Sequence, residues 1–511
     1  MKKETYLHQI VGGASLLFLG VIITYFIKFL IRIILSRYLG PSEYGLLALG
    51  DAVVNIGLTI SLFGLTAGAT KYIPHYLEKK KLGKVKGIII SIIKITTITS
   101  VLLTIMIIFL SDYISLMIFK NVQFKNILPI FALVIPFFTL ANVFSNIFLA
   151  FKKVKYQNIL WVFGRSFTYF IFIIIIVLFN KNLKMVVYSY LLSQIIPFLM
   201  GIYLLEWKTF SIFRSKIVAI YEYRRLLKFS LPLFISNFFI QLMGWIDSIF
   251  LGVLKTSYDV GIYNAILPLV GTITIFLSVL GNMFLPISSE LHTKNEFNKI
   301  TNTYISISRW LFILSAPISM FFFIFPKEII TVVFGASYVQ GYMILRILIA
   351  SYFIKVILGP SSQTLITFNK TKILLYINLI SMMINLLMNY ILIQKYGILG
   401  AAIATSISIL LREIILFMIV KRKLDLHFKF DLYYKYLISI ALPLILIKII
   451  IQNIEAITWF ILMICFISYH IIYLLMLYFL NSFSKSDLII IELIENKKGI
   501  SLNRIKKYLK R

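Results

Sequence analysis

The chain has 511 residues, 60% of them hydrophobic, including 44 Phe and 30 Tyr, with a mean hydropathy of +0.94. Soluble globular chains are about 45–50% apolar, so this composition excludes an ordinary soluble domain. The formal net charge of +32 would suggest a nucleic-acid binder in a soluble protein. Here the basic residues lie mostly between apolar runs, where membrane topology accounts for them.

The N-terminus "MKKETYLHQI" leads into a long apolar run with no small-residue cleavage site and reads as the start of a first span rather than a cleaved signal. Apolar runs of about 20 residues, enough to cross a roughly 30 Å hydrocarbon core, then recur to the end of the chain. They fall near 11–36, 44–70, 87–111, 126–151, 156–179, 185–205, 229–253, 259–289, 303–325, 340–368, 373–394, 397–420, 433–452 and 457–480. None alternates polar and apolar residues as a lipid-facing barrel strand would. The expected fold class is therefore an all-α polytopic membrane protein with fourteen spans.

The loops "KYIPHYLEKKKLGKVK", "FKKVK", "FRSK…YRRLLK", "KTK" and "KRKLDLHFKF" are basic, whereas "LGPSEYG", "LKTSYDVG", "FPKE" and "IQKYG" are not. The positive-inside rule then puts both termini on the cytoplasmic side. The tail over 481–511 is basic, with Ile489, Leu493 and Ile494 at helical spacing, and reads as an amphipathic interfacial helix. Cys465 is the only cysteine and excludes an internal disulfide; the five His show no metal-ligand spacing, so neither a metal nor a cofactor is expected.

The chain repeats itself. "SEYGLLA" opens the second span and "YDVGIYNA" the eighth, so that Gly45 aligns with Gly261; after these spans Pro74 and Pro286 correspond within a few residues. Six intervening spans keep the copies in one orientation, related by a pseudo-two-fold axis along the membrane normal. The expected organisation is an N-terminal lobe over 1–205, a cytoplasmic connector over 206–228, a C-terminal lobe over 229–420, two further spans over 421–480 and the tail. Rocking of the lobes about a cleft would give alternating access.

"SRYLGPSEYGLLAL" at Ser36, "FLPISSEL" at Phe284, "FPKEIITVVFGASYVQGYMILRIL" at Phe325 and "NLISMMINLLMNYILIQKYGILGAAIATSIS" at Asn378 follow one another as they do in a known family. The chain resembles the polysaccharide and oligosaccharide-lipid flippases of the multidrug/oligosaccharidyl-lipid/polysaccharide exporter superfamily, which also contains multidrug and toxin extrusion (MATE) transporters and lipid II flippases. The resemblance covers nearly the whole chain. It implies a MATE-like fold and a flippase that carries a lipid-linked oligosaccharide or polysaccharide repeat unit, on a phosphate or pyrophosphate, across the cytoplasmic membrane. The implied partners are that glycolipid, membrane lipid and other envelope glycan assembly proteins, with no nucleic acid and no enzymatic activity.

Charges inside the spans bear on the same reading, because each costs at least about 2.5–3.5 kcal/mol on insertion scales. Arg309 and Lys448 sit near span ends and can snorkel, and Arg412 with Glu413 lies near a cytoplasmic end. Lys28, Arg32, Lys94, Arg165, Arg346 and Lys355 are deeper and form the expected cationic cavity for an anionic headgroup. Lys28 and Arg32 stand one turn apart on a single helix face. Asp51, Asn55 and Asp247 are candidates for gating pairs or for coupling to Na+ or H+; the repeat register sets Asp247 level with Ile31, beside Arg32. Asn237 and Gln241 are sugar-contact candidates, with helix–helix hydrogen bonding as the plainer role. A MATE-like cation-coupled antiporter would want an acidic cavity. A membrane glycosyltransferase would want a carboxylate pair on a sizeable external loop, and the loops here are short. A purely structural scaffold would lack a water-filled cleft.

Overall fold

The computed structural model describes residues 2–179, 182–426, 433–454, 458–480 and 482, with side chains from residue 20 onward. The expected tail over 481–511 lies outside the described residues apart from Ser482. The described residues are nearly all helical, with no strand, as a lipid-immersed backbone must be if its polar groups are to be satisfied within each segment. Thirteen of the helical segments are long and apolar enough to cross a membrane. The protein is a multi-pass membrane protein of the expected all-α class.

By packing, residues 1–261 form one compact unit and residues 262–511 another. The first unit contains α1 (Lys2–Leu62), α2 (Leu65–Glu78), α3 (Leu82–Phe109), α4 (Val122–Ala150), α5 (Val154–Asn158), α6 (Thr168–Leu178), α7 (Leu183–Tyr203) and α8 (Tyr223–Leu254). A nine-residue π-helix, Ile159–Phe167, joins α5 to α6. The start of α9 (Ser257–Thr293) also belongs to this unit. The second unit continues with α10 (Phe297–Ile324), α11 (Pro326–Val333), α12 (Tyr342–Ile357), α13 (Ser361–Thr367), α14 (Thr371–Tyr396), α15 (Ile398–Leu424), α16 (Tyr433–Gln452) and α17 (Trp459–Phe479).

Two of the fourteen expected segments fall within α1. Its 61 residues would reach about 90 Å if straight, about three times the hydrocarbon thickness. Gly40, at φ 70 and ψ 173, breaks the helical path, and Pro41 follows with no N–H to carry the ladder across. The stretch "LGPSEYG", expected as a loop, is therefore a kink between helical arms. The second arm stops earlier than the expected residue 70. Phe63 and Gly64 both take left-handed conformations, and a Cβ on Gly64 would press on the Ser230 carbonyl oxygen of α8. Elsewhere, side-chain caps set helix starts: Asn121 accepts from Phe124 N at 2.9 Å, and Asn182 accepts from Met185 N at 3.3 Å.

The repeat register reappears as a contact within the first unit. A Cβ on Gly45 would collide with the Ser257 carbonyl oxygen, and a Cβ on Gly261 would collide with the Pro41 carbonyl oxygen. Each glycine meets the residue four positions before the other, so the crossing of α1 with the first turn of α9 is reciprocal. Helix α8 also packs on α1 and α2; Gly252 approaches Leu49, and Gly68 approaches Leu226.

The connector after α7 is clasped to this unit. Ile220 N donates to the Gly83 carbonyl oxygen at 2.9 Å, and Lys86 Nζ donates to the Ser215 carbonyl oxygen at 3.0 Å. Glu222 accepts from Tyr76 Oη and Lys84 Nζ, with Arg225 3.7 Å away. Burial alone would raise the Glu222 carboxyl. The hydrogen bonds from Lys84 and Tyr76, with the charges of Lys84 and Arg225, outweigh burial and hold it below the usual carboxylate range. Tyr76 is pushed up to about 12, by burial first and then by its bond to Glu222.

Two outcomes follow. Gly45→Ala and Gly261→Ala should each cost about 1–3 kcal/mol and lower the thermal midpoint of the purified protein, because the obstruction is backbone. Gly271→Ala, where a Cβ meets open space, should leave the midpoint in place. For the clasp, a depressed carboxyl stabilises the fold above the ordinary Glu range and loses that contribution as pH falls through its folded value. Hydrogen exchange over 216–222, corrected for intrinsic rates, should then rise more steeply on acidification in the native chain than in Glu222→Gln.

Candidate functional site: a cation cluster in the first unit

Helices α1, α4, α7 and the π-helix pack on one another and bring together five of the residues singled out from the sequence. Gly164 lets the π-helix lie against α7, its Cβ position 3.2 Å from Pro197, and Arg165 follows on the same wide turn. The Arg165 guanidinium sits 3.9 Å from the centroid of the Phe138 ring and 5.4 Å from that of Trp161. Trp161 is itself held by a 2.6 Å bond from Nε1 to Ser145 Oγ. Arg165 Nη2 reaches Tyr190 Oη at 3.5 Å, and Tyr190 Oη donates to Asp51 Oδ1 at 2.9 Å. Asn55 Nδ2 donates to the same carboxylate oxygen at 3.1 Å and to the Asp51 backbone carbonyl at 2.7 Å.

Lys28 is exposed and lies within electrostatic reach of Arg165, Asp51 and Arg32. Arg32 is half-buried, and its charge, like that of Asp51, is felt at the buried Tyr44. Three basic side chains stand with one carboxylate, a formal charge of +2 for these four groups. The groups packed on Arg165 are the Phe138 and Trp161 rings and the Tyr190 hydroxyl. π-Helical turns occur often at functional sites, and this one carries the central guanidinium.

The remaining candidates lie on other elements. Lys94 is exposed on α3. Asp247 is buried on α8 at 8% exposure, and Asn237 and Gln241 are exposed on the same helix. Arg346, in the second unit, donates from Nε to the Phe323 carbonyl oxygen at 2.9 Å. That carbonyl is among the last of α10, which makes Arg346 a helix C-terminal cap. Lys355 is half-buried on α12, 5.2 Å from the centroid of the Tyr352 ring. Two residues set aside as solvated or snorkelling are buried instead: Arg309 at 8% exposure and Glu413 at 4%. Residue depth estimated from span ends misplaced both, because it takes no account of which neighbour covers a helix face. Tyr190 was missed. Its signal was the run "YSYLLSQ", whose Ser189, Tyr190, Ser193 and Gln194 are all buried on two adjacent faces of an otherwise apolar span.

Residues 10–292, more than half of the chain, match the family model described as "Polysaccharide biosynthesis protein". The chain belongs to this family. Residues 232–391 also match the MatE model. Among curated proteins, the chain is 26% identical to the uncharacterized membrane protein MJ1068 of Methanocaldococcus jannaschii, over 78% of this chain and 82% of that one. It is 28% identical to the probable low-salt glycan biosynthesis flippase Agl15 of Haloferax volcanii, over 35% and 38%. It is 22% identical to the putative O-antigen transporter of Shigella flexneri, over 75% and 90%. The lipid II flippase MurJ in an inward closed conformation superposes with a TM-score of 0.73 at 17% identity, covering 93% of this chain and all of that one. An inward-facing MATE transporter superposes with 0.68 at 15%, covering 79% and 94%. These solved structures establish the MATE-like fold.

The Arg165–Tyr190–Asp51 bridge has a measurable strength. Tyr190→Phe and Asp51→Asn should each destabilise the protein by about 1–2 kcal/mol. In the double variant the losses should fall short of their sum by about 1 kcal/mol, as expected for groups in one network. Thermal or denaturant unfolding of the four proteins checks this.

Proposed function

We propose that this polysaccharide biosynthesis family member is a flippase that moves a lipid-linked glycan across the cytoplasmic membrane by alternating access, with both termini cytoplasmic. The observation that carries the reading is the net positive cluster of Lys28, Arg32 and Arg165 around Asp51. A surplus of cations within membrane spans calls for water or an anion, and the phosphate or pyrophosphate of a glycolipid is an anion that Arg grips bidentately and Lys meets as a point charge. The flippase and O-antigen transporter names of the relatives support the glycan as cargo. Residues 1–205 and 229–420 act as the two lobes in this reading. Asp51 is engaged by Tyr190 and Asn55, which favours a role in holding the cluster over one in carrying a coupling ion. Asp247 is kept as a gating partner for Arg32. The MatE match raises the alternative of an antiporter of small organic cations, but a cluster of +2 repels such cargo.

Lys28→Ala, Arg32→Ala and Arg165→Ala should each cut glycolipid flipping in reconstituted vesicles by about tenfold or more, the equivalent of one charge-assisted contact. Membrane abundance should stay near normal, and Arg346→Ala should flip at close to the native rate. Native flipping by all three cluster variants would remove the headgroup role.

A further inference from the structure

A second group of charges lies wholly within the second unit, at a break in a membrane-length segment. Residues Ala336–Thr367 are long and apolar enough to cross, yet the helical path stops between α12 and α13 at Gly359, φ +81, and Pro360. The carbonyl freed there is satisfied: Tyr304 Oη of α10 donates to the Leu358 oxygen at 2.5 Å and lies 2.9 Å from Ser361 Oγ. Irregular backbone at membrane depth is tolerated where protein or a wet cavity surrounds it.

Arg412 of α15 faces this break. Its Nε donates to Asn378 Oδ1 at 2.8 Å, Nη1 pairs with Glu413, and Nη2 reaches Ser362 Oγ at only 3.5 Å. Lys355, one turn before Gly359, lies within electrostatic reach of both Arg412 and Glu413. Among the described residues it makes no ion pair within 4.0 Å. Two cations thus share one carboxylate, whose side chain is only 5% exposed. The pairing itself is awkward. Residues at i and i+1 of a helix point in different directions, so Arg412 and Glu413 must bend toward each other to meet. A phosphate at the break would meet the Nη2 that reaches Ser362 and would bring Lys355 a partner within ion-pair distance.

We propose that Lys355, Arg412 and Ser362 form a second anion site, of the phosphate class, within this unit, and that Glu413 is the built-in competitor that occupies Arg412 when the site is empty. The site is built from residues of the second unit alone and does not rest on the glycan reading. The chemistry fits a lipid pyrophosphate headgroup and free pyrophosphate alike.

The test uses the full chain in nanodiscs of neutral lipid, in a Lys28→Ala, Arg32→Ala, Arg165→Ala background that silences the first cluster. Inorganic pyrophosphate and farnesyl pyrophosphate are titrated by calorimetry. Glu413→Gln should tighten pyrophosphate binding about tenfold and Lys355→Gln should weaken it about tenfold, the scale of one charge-assisted contact. Lys355→Gln lies outside the ion pair and keeps the test decisive should Glu413→Gln fail to fold. Tighter binding of the farnesyl form assigns the site to a lipid headgroup, and equal binding assigns it to the free anion; both support it. No saturable binding of either probe, or Lys355→Gln binding with native affinity, overturns it.

Discussion

A cation inside a membrane span must be given company, and this chain gives its cations company that is mostly neutral. Arg165 lies on the faces of Phe138 and Trp161 and touches the Tyr190 hydroxyl; Arg412 is held by Asn378 and grazes Ser362. Ring quadrupoles, phenols and amides lower the cost of a buried guanidinium without cancelling its charge. A full complement of acids would do more for stability, but it would leave nothing for an external anion to neutralise. With one carboxylate to each cluster, the charge is fixed in place and its field remains.

Each cluster has a departure from regular α-helix beside it. Arg165 rides on a nine-residue π-helix, and Arg412 faces the gap between α12 and α13. A π-turn widens the helix and swings the side chains that follow it. A Gly-Pro break stops one helix and starts another, with the orphan carbonyl answered by Tyr304. The first carries Arg165 itself, and the second places Ser362 within 3.5 Å of Arg412 Nη2.

Hydropathy made the helical class and most of the spans readable from residue order, because the membrane demands the same length of apolar chain at every crossing. The pairing of Gly45 with Gly261 was readable as a register and emerges as a physical contact. Other features could not be read in this way. That "LGPSEYG" is a kink with helix resuming directly after Gly40, rather than an open loop, depends on packing that residue order does not show. That Arg346 caps the end of α10 is not legible from its place along the span. Glu413 reads as solvated until α10, α12, α13 and α14 are seen around α15. In each instance local spacing located the residue along the membrane normal, but which face of the helix was covered depended on segments far away in sequence.

The crossing at Gly45 and Gly261 also limits how this chain can change. Most tight contacts between side chains can be relieved from either side, because enlarging one residue is compensated by shrinking its partner. Here the partner atoms are the carbonyl oxygens of Ser257 and Pro41, which every amino acid carries. No second substitution can make room for a first, so the two positions have no compensatory route and cannot drift as a pair. Such a contact leaves no signal for methods that look for correlated substitutions, since two positions each held to glycine by a backbone oxygen cannot covary.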